Sequence, residues 1–391
     1  MLNKKFIFGL SALAVTLMIS GCTGSGSGES TEYTFSGDLN SGNTRTNVKS
    51  AKPVCVTNDT LFIGEIGNIS HSSTSRNIAI DSDGVIYIAY HGQNGINVIR
   101  SVDGGETFSN PIQITSDDYE VSINVSNDHT VYLAWVDNAN SIINISTSHD
   151  KGVTFENPKV VGSTPTGGFF GNDTLHIASD EEHIYIVTTG GTTLYVSHDH
   201  GSTFSEVNIS QNGRAFADVR VDRTTHKVYV QTDDPTIRYY VSTNHGDTLS
   251  SERVPGGAIF YSTTAFSGYE NGAYLFVSGI NTDAYRIDLD ANTSEALVFG
   301  DNQVDMGRSL AADNIGNVVD GYQKTDANGT TSSYFAVSQN IGENFDAEVK
   351  VDDNTTDISV AIDSPCRNVV VAYMKDDKVH INTYVGKLAT E

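Results

Sequence analysis

The chain repeats one pattern of hydrophobic and polar positions seven times. Short segments beginning at residues 78, 123, 176, 219, 265, 310 and 360 read IAID, INVS, HIAS, VRVD, AFSG, LAAD and VAID. After a short turn, each is followed by an apolar strand: VIYIAY, TVYLAW, HIYIVT, KVYVQT, GAYLFV, NVVDGY or NVVVAY. Alternating apolar runs bounded by turns indicate β-strands, and a period of about 45 residues predicts an array of seven similar modules.

Five of the apolar strands carry a tyrosine at the same phase. Because aromatic side chains in phase on alternating strands usually pack between sheets, we predict that these five are core residues. They are Tyr87, Tyr132, Tyr185, Tyr229 and Tyr274.

An octapeptide recurs as SVDGGETF (101–108), SHDKGVTF (148–155) and SHDHGSTF (197–204), with weaker copies STNHGDTL (242–249), DLDANTSE (288–295) and SQNIGENF (338–345). Its Asp can accept hydrogen bonds from backbone amides two residues on, and its Gly can take a positive φ. Its last aromatic residue can anchor the segment in apolar packing. Each copy therefore predicts a turn between two antiparallel strands.

These octapeptides resemble the Asp-box, or BNR repeat, of the sialidase-like β-propellers. The resemblance implies an all-β, seven-bladed β-propeller with four strands per blade. The seventh module ends before a fourth strand, whereas VCVTNDTLFIGEI (54–66) precedes the first module. We expect this segment to join the last blade (358–385), which closes the ring and removes an exposed sheet edge. The propeller would then be one domain over 54–391.

The segment that precedes the propeller predicts a membrane anchor. Lys4 and Lys5 precede an apolar run that is short for a membrane-spanning helix. The residues up to Cys22 resemble the lipobox of bacterial lipoproteins. The resemblance implies a cleaved signal peptide (1–21), a lipidated Cys22 and a place in the bacterial cell envelope, on the periplasmic or outer side of the outer membrane. Residues 22–53, rich in Gly and Ser, predict a flexible tether.

Lipidation of Cys22 leaves two of the three cysteines, Cys55 and Cys366. The first lies on the proposed closing strand and the second in the first hairpin of the last blade. An oxidising compartment allows them to form a disulfide that locks the ring. The alternative is two buried free thiols.

The net charge of the chain limits the classes of macromolecule that it can bind. The chain has 23 Lys and Arg against 48 Asp and Glu, a formal net charge of -25. Such an acidic surface repels polyphosphates, so nucleic acid is excluded as a partner.

The segments that enter the inner strands are the candidate ligand surface, because in Asp-box propellers they face the ligand and the boxes lie on the opposite side. Three guanidinium groups at one height can hold a carboxylate or sulfate, and acidic and aromatic side chains enter the same face. The predicted site comprises Arg76, Arg214, Arg308, Asp118, Tyr119, Phe170, Asp218 and Tyr261. It predicts an acidic glycan or protein ligand.

Arg76 and the strand after it resemble the first-blade arginine of sialidases, but the family's catalytic set is incomplete. The loop HGQNG (91–95) has no carboxylate where the family has its acid/base Asp, and Asn77 replaces a proline. Glu270 falls in an inner hairpin on the opposite face and so cannot assist a tyrosine nucleophile. We therefore expect binding without catalysis; the alternative is a sialidase-like glycoside hydrolase with paired carboxylates.

No cofactor or metal is expected. His149, His198, His200 and His245 lie in or beside the octapeptides of adjacent blades. Histidine ligands must converge to about 2 Å from one ion, whereas the outer parts of blades diverge. The segment DSDG (81–84) lacks the ligand series of a calcium loop and predicts a turn.

Overall fold

The computed structural model describes residues 60–68 and 76–385, with internal gaps. The gaps are 93, 117–120, 138, 165–174, 209–214, 233–235, 251, 258–262, 269–271, 279–283, 298–305 and 364–367. For residues 60–68, 263, 278, 306–308 and 363 it describes the backbone alone. Within these ranges the regular structure is entirely β-strand. The described residues include no helix long and apolar enough to cross a bilayer.

The strands form a seven-bladed β-propeller, as the sequence predicts. The first strand is β1 (Thr60–Asn68). Blade 1 consists of β2 (Ile78–Ile80), β3 (Ile86–Gly92), β4 (Gly95–Ser101) and β5 (Ile112–Thr115), and blade 2 of β6 (Val121–Val125), β7 (Val131–Asp137), β8 (Ile142–Ser148) and β9 (Lys159–Ser163). Blade 3 consists of β10 (Leu175–Asp180), β11 (His183–Thr188), β12 (Thr193–Ser197) and β13 (Ser205–Asn208). Blade 4 consists of β14 (Phe216–Asp222), β15 (Lys227–Thr232) and β16 (Tyr239–Ser242). In blade 4 the place of a fourth strand is taken by a bridge between Tyr239 and Arg253.

Blades 5 to 7 continue the same antiparallel order. They consist of β17 (Thr263–Ser267), β18 (Tyr274–Ser278), β19 (Ala284–Asp288) and β20 (Thr293–Ala296); β21 (Met306–Ala312), β22 (Val318–Thr325), β23 (Thr331–Ser338) and β24 (Val349–Asp353); and β25 (Thr356–Asp363), β26 (Asn368–Lys375) and β27 (Lys378–Tyr384).

Strand β1 closes the ring. It pairs antiparallel with β27, with Thr60 opposite Thr383 and Ile63 opposite His380. Its last two residues pair with β3 of the first blade. The predicted closing segment therefore supplies the fourth strand of blade 7, and the edge of β27 is covered rather than exposed. The part of that segment before Thr60 lies outside the described residues.

The hydrophobic core lies between neighbouring blades, and four of the five predicted tyrosines belong to it. Tyr87, Tyr132, Tyr185 and Tyr229 are buried, with at most 3% of their surface exposed. Tyr274 is only half-buried and packs at the edge of its cluster.

Phe276 occupies the core position of blade 5 instead of Tyr274. Ala265 lies opposite Phe276, as Ala79 lies opposite Tyr87 in blade 1. The strand in blade 5 is therefore shifted by two residues relative to the pattern in the sequence. The same register moves two inner segments by one residue, so that the third reads IASD (177–180) and the fifth TAFS (264–267).

The octapeptide turns have one hydrogen-bond pattern. In the first copy, Gly105 N donates to Ser101 Oγ at 2.8 Å, and Thr107 N donates to Asp103 Oδ1 at 2.9 Å. The second and third copies repeat both bonds, and Asn replaces Asp as the acceptor in STNHGDTL and SQNIGENF. The repeated residues therefore build the same turn in five blades.

Each turn also touches the preceding blade. Gly246 has φ 87°, and a Cβ on it would lie 2.9 Å from Val196 and 3.0 Å from the ring of Tyr185. Glycine is needed here for the backbone conformation and for the close approach. The turn of blade 4 is thereby packed against the core of blade 3.

Candidate functional site in the central channel

The inner strands surround a central channel with a volume of about 300 Å³. Most of its lining is small or aliphatic, contributed by inner strands of all seven blades. Three arginines, Arg76, Arg220 and Arg223, are the basic residues among the described lining. The channel therefore combines small and aliphatic side chains with polar ones, and it has a basic cluster on one side.

The register explains why the charge comes from blade 4. At one inner-strand position, five blades have alanine, blade 2 has asparagine and blade 4 has arginine. These residues are Ala79, Asn124, Ala178, Arg220, Ala265, Ala311 and Ala361. Alanine leaves space in the channel, and Arg220 places a guanidinium in that space.

Two residues earlier on each inner strand, the side chains form a layer that is polar and buried in the six blades where it is described. Its described members are Asn77, Ser122, His176, Asp218, Ser309 and Ser359. Buried polar groups are tolerated when they are hydrogen-bonded, so this layer requires partners. Asp218 is its one carboxylate.

Arg76 and Asp218, both predicted from the sequence, are bonded to each other. Arg76 Nη2 donates to Asp218 Oδ1 and to the carbonyl of Val219, the latter at 3.0 Å. Its Nη1 donates to the carbonyl of Ile177 at 2.7 Å. The Asp218 side chain is 1% exposed and that of Arg76 is 11% exposed. Most of the Arg76 guanidinium is thus used inside the protein.

Both carboxylate oxygens of Asp218 accept two hydrogen bonds each. Its Oδ1 also accepts from Val219 N at 2.7 Å, and its Oδ2 accepts from Thr264 N at 3.1 Å and from Thr264 Oγ1 at 2.5 Å. Burial by itself would raise the pKa of Asp218. The positive charge of Arg76, then the neighbouring His176 and Arg220, outweigh burial and hold that pKa far below its usual value. Asp218 is therefore a fixed negative charge and a poor proton donor.

Arg220 donates fewer hydrogen bonds within the described residues than Arg76 does. Its Nε donates to Thr264 Oγ1 at 2.9 Å, and its Nη2 lies 3.6 Å from Asp218 Oδ2. Burial, followed by repulsion from Arg76, lowers the pKa of Arg220 to about 9. The group is still charged at neutral pH, and an anion in the channel would relieve the repulsion.

Arg223 lies further along β14 and its turn, where blades 2 and 3 hold it. Its Nε donates to the carbonyl of Ser179 at 3.1 Å, and its Nη2 donates to Val125 O and, at 3.3 Å, to Asn124 Oδ1. Burial lowers the pKa of Arg223. Its positive charge is fixed in place by carbonyl and amide oxygens, which do not neutralise it.

His176 completes the cluster as a neutral group. It is fully buried, and its Nδ1 lies 3.3 Å from Asp218 Oδ1. Burial lowers the pKa of His176 to about 4, although Asp218 opposes the shift. The cluster at neutral pH therefore contains three positive guanidinium groups and the negative charge of Asp218.

The one carboxylate on the described lining, Asp313, is occupied by its own turn. It accepts from the backbone amides of Ile315 and Asn317 and from the Asn317 side chain. The channel therefore has local positive charge within a chain of net charge -25. Such local positive charge favours an anionic group over a cationic one.

The structure covers the other predicted site residues only in part. Counting back three residues from the shared position places Arg308 at the level of Arg76, and Ala217 rather than Arg214 at that level in blade 4. Outside the described residues lie the side chain of Arg308 and all of Arg214, Asp118, Tyr119, Phe170, Tyr261, Cys22, Cys55 and Cys366.

Arg220 and Arg223 were not among the site residues predicted from the sequence. Both lie in the segment VRVDR (219–223), and Arg220 is the one charged residue at the second position of the seven segments, a position that the register of the structure makes alanine in five blades. An exception to a repeat is a usable signal, because the repeats otherwise share one packing role. Choosing arginines before the inner strand, rather than within it, missed this signal.

Histidines on the octapeptide face converge between blades 3 and 4, contrary to the expected divergence. The rings of His183 and His245 stack with their centroids 4.2 Å apart, and His226 lies 5.3 Å from His245. His198 packs edge-on against His183 at 5.0 Å. The reason is that inner hairpins and octapeptide turns of adjacent blades meet on this face.

Comparisons with known proteins support the fold. No protein-family model matches the chain. A search of curated proteins likewise finds no match. Among solved structures, YCF48 bound to a D1 peptide superimposes with a TM-score of 0.54 at 14% identity, covering 87% of this chain and 100% of the other. A chain of a mitotic checkpoint complex gives 0.54 at 8% identity, covering 90% and 99%.

A Hadza microbial sialidase matches with a TM-score of 0.46 at 12% identity, covering 81% of this chain and 66% of the other. At these identities the likeness to YCF48 and to the checkpoint-complex chain concerns the fold alone. The fold and the channel together define a seven-bladed β-propeller with a basic cluster on its axis.

Proposed function

We propose that this chain is a lipid-anchored protein of the bacterial cell envelope that binds an acidic segment of a partner protein in its channel, without hydrolysing it. The observation that carries the proposal is Arg220. Its charged guanidinium lines the channel and makes one hydrogen bond, to Thr264, among the described residues. A carboxylate of the ligand would provide the charge-assisted bonds that Arg220 lacks.

The rest of the lining contains groups that suit a polypeptide. Alanine, valine, isoleucine and Phe266 offer apolar contact to aliphatic side chains, and the serines and asparagines of the lining can bond a peptide backbone. Two propellers of similar fold were solved with polypeptide partners, a D1 peptide and a mitotic checkpoint complex. An acidic glycan is the competing ligand, and it shares the same carboxylate chemistry.

Hydrolysis is not supported by the carboxylate that the cluster contains. A glycosidase needs one carboxyl group that can donate a proton and a second that faces the sugar. Asp218 accepts bonds from Arg76, Val219 and Thr264, and its depressed pKa keeps it ionised. It therefore serves to fix Arg76 and Arg220.

Binding can be measured by fluorescence polarisation with a labelled hexapeptide library that contains one Asp or Glu at varied positions. Arg220→Gln should weaken the selected peptide at least tenfold, because a hydrogen bond to a charged group contributes about 1.5–3 kcal/mol. Lys159→Gln, a change at an exposed ion pair on blade 2, is the matched control and should bind normally. Equal affinity of the wild type and Arg220→Gln would refute the site.

The competing functions have their own measurements. Sialyllactose that displaces the peptide and loses affinity in Arg220→Gln would assign the channel to acidic glycans. Release of free sialic acid at an enzymatic rate would replace the binding proposal by the sialidase-like alternative.

The anchor is tested separately. In a bacterial host, the wild type should sediment with membranes and incorporate labelled fatty acid at Cys22. Cys22→Ala should remove the label and release soluble protein, because the lipid chain supplies the membrane affinity. Unchanged sedimentation and labelling of Cys22→Ala would disprove the lipoprotein assignment.

A further inference from the structure

The junction between blades 3 and 4 carries a cluster that the channel function does not use. Asp180 at the end of β10, His226 in the inner turn of blade 4 and His245 in the octapeptide turn of blade 4 bring three ligand atoms within 4.8 Å of one another. Asp180 is fully buried. His226 Nδ1 and Asp180 Oδ2 are 2.5 Å apart.

Two atoms of this cluster lack partners. Asp180 Oδ1 and His245 Nδ1 are buried, and neither has a hydrogen-bond partner among the described residues. A buried carboxylate oxygen and a buried imidazole nitrogen are costly when unpaired. They therefore point to a group that is bound between them.

The neighbouring junctions show what the same positions do elsewhere. In the octapeptide turns, the residue after Asp or Asn has a positive φ and reaches the preceding blade; it is Lys151 in blade 2, His200 in blade 3 and His245 in blade 4. Lys151 Nζ bonds Asp83 of blade 1, and His200 Nδ1 lies 2.9 Å from Tyr132 Oη of blade 2. The equivalent atom of His245 has no such bond.

The inner turns repeat as well. His129 Nδ1 lies 3.1 Å from Asp81 Oδ2 between blades 1 and 2, as His226 lies against Asp180 between blades 3 and 4. Between blades 1 and 2, the nearby lysine supplies a cation. Between blades 3 and 4, a second imidazole takes the place of that lysine, so two imidazoles and one carboxylate face one another.

We infer that Asp180, His226 and His245 bind a divalent transition-metal ion, with Zn²⁺ as the best match, that ties blade 3 to blade 4. Two imidazoles and one carboxylate suit Zn²⁺, Cu²⁺ or Ni²⁺, whereas Ca²⁺ and Mg²⁺ prefer oxygen ligands alone. Ligands about 2 Å from one ion lie within about 4 Å of each other, so small side-chain rotations complete the geometry. Water would take the fourth position.

The stacked ring of His183 supports His245 from the side. His198 is held by Asp247, at 2.9 Å between Nε2 and Oδ1, and is therefore not needed as a ligand. These neighbours limit the rotation of the His245 ring, which reduces the ordering cost of binding a metal.

The test uses full-length protein purified without a polyhistidine tag and treated with chelator. Titration with Co²⁺ should give the visible absorption of a low-symmetry site at one equivalent, and Zn²⁺ should abolish it by displacement. Zn²⁺ should also raise the melting temperature, since a ligand that binds only the native state stabilises it.

The variants distinguish this site from other histidines on the same face. His245→Lys copies the lysine of blade 2, so it should keep the fold but lose the Co²⁺ band and the Zn²⁺ shift. Asp180→Asn should weaken Zn²⁺ by at least tenfold. His149→Gln, at an exposed position on the same face, should behave as the wild type.

Absence of a Co²⁺ band in the wild type would overturn the inference, as would an unchanged band in His245→Lys. Should His245→Lys fail to fold by circular dichroism, His226→Gln takes its place with the same expected loss. A band lost equally in His149→Gln would indicate a different site and would also overturn it.

Discussion

At the residue scale, the cluster around Asp218 shows how burial sets protonation. His176 is fully buried and neutral, with its pKa lowered from 6.5 to about 4 because burial disfavours the imidazolium. The unfolded chain binds a proton at this residue below about pH 6.5, whereas the folded protein does so only near pH 4. The stability associated with His176 is therefore complete above pH 6.5 and is lost as the pH falls towards 4.

We expect this residue to remove about 2 kcal/mol of unfolding free energy between pH 7 and pH 5. Urea denaturation at both pH values measures the loss, and His176→Gln should show a loss smaller by that amount because glutamine does not titrate. His149→Gln, half exposed, should keep the wild-type pH dependence. An identical pH dependence in the wild type and His176→Gln would contradict a buried neutral imidazole.

The sequence predicted this cluster in part. Arg76 and Asp218 could be selected because they precede or begin inner strands, and repeat geometry places such residues at the channel. That the two bond each other depends on side-chain packing across blades 1 and 4, which the spacing of repeats does not encode. Asp218 and Thr264 also hold the Arg220 guanidinium in place, and this contact likewise depends on packing between blades.

At the scale of the element, the octapeptide turn links local conformation to packing between blades. Gly246 has φ 87° and no room for a Cβ beside Tyr185 and Val196. Gly329, in the turn between β22 and β23, has φ 83°, and a Cβ on it would meet nothing within 4 Å. The two glycines share a left-handed backbone conformation and differ in the contacts that a Cβ would make.

Gly329→Ala should therefore cost only the strain of a left-handed residue, about 1–2 kcal/mol. Gly246→Ala should cost about 1–3 kcal/mol more, because overpacking adds to the strain. Chemical denaturation of both variants measures the difference. Equal losses would show that the turn does not press on blade 3.

Strand spacing was predictable at this scale because turns and alternation repeat in the sequence. The phase of a strand, meaning which of its side chains face the core, was harder to predict. In blade 5 the segment GAYLFV offers Tyr274 and Phe276 on the same face of the strand, two residues apart. Pairing of β17 with β18 selects Phe276, and the choice rests on contacts with blade 6 that no local pattern contains.

At the scale of the whole molecule, ring closure depends on one pairing between the two ends of the propeller. The sequence predicted this pairing because the last repeat lacks a fourth strand, whereas an unassigned strand precedes the first repeat. Thr60 lies opposite Thr383, which lies opposite Val370. The start of β1 and the start of β26 are therefore at the same end of blade 7.

This register is compatible with the predicted disulfide, since in the sequence Cys55 precedes β1 by a few residues and Cys366 stands between the end of β25 and the start of β26. Thiol titration of the denatured, unreduced mature protein should find no free thiol. Cys55→Ser, Cys366→Ser and the double variant should lose the same stability, about 2–5 kcal/mol, because each removes one and the same cross-link. Two reactive thiols in the wild type, or losses that add in the double variant, would mean that β1 closes the ring by strand pairing alone.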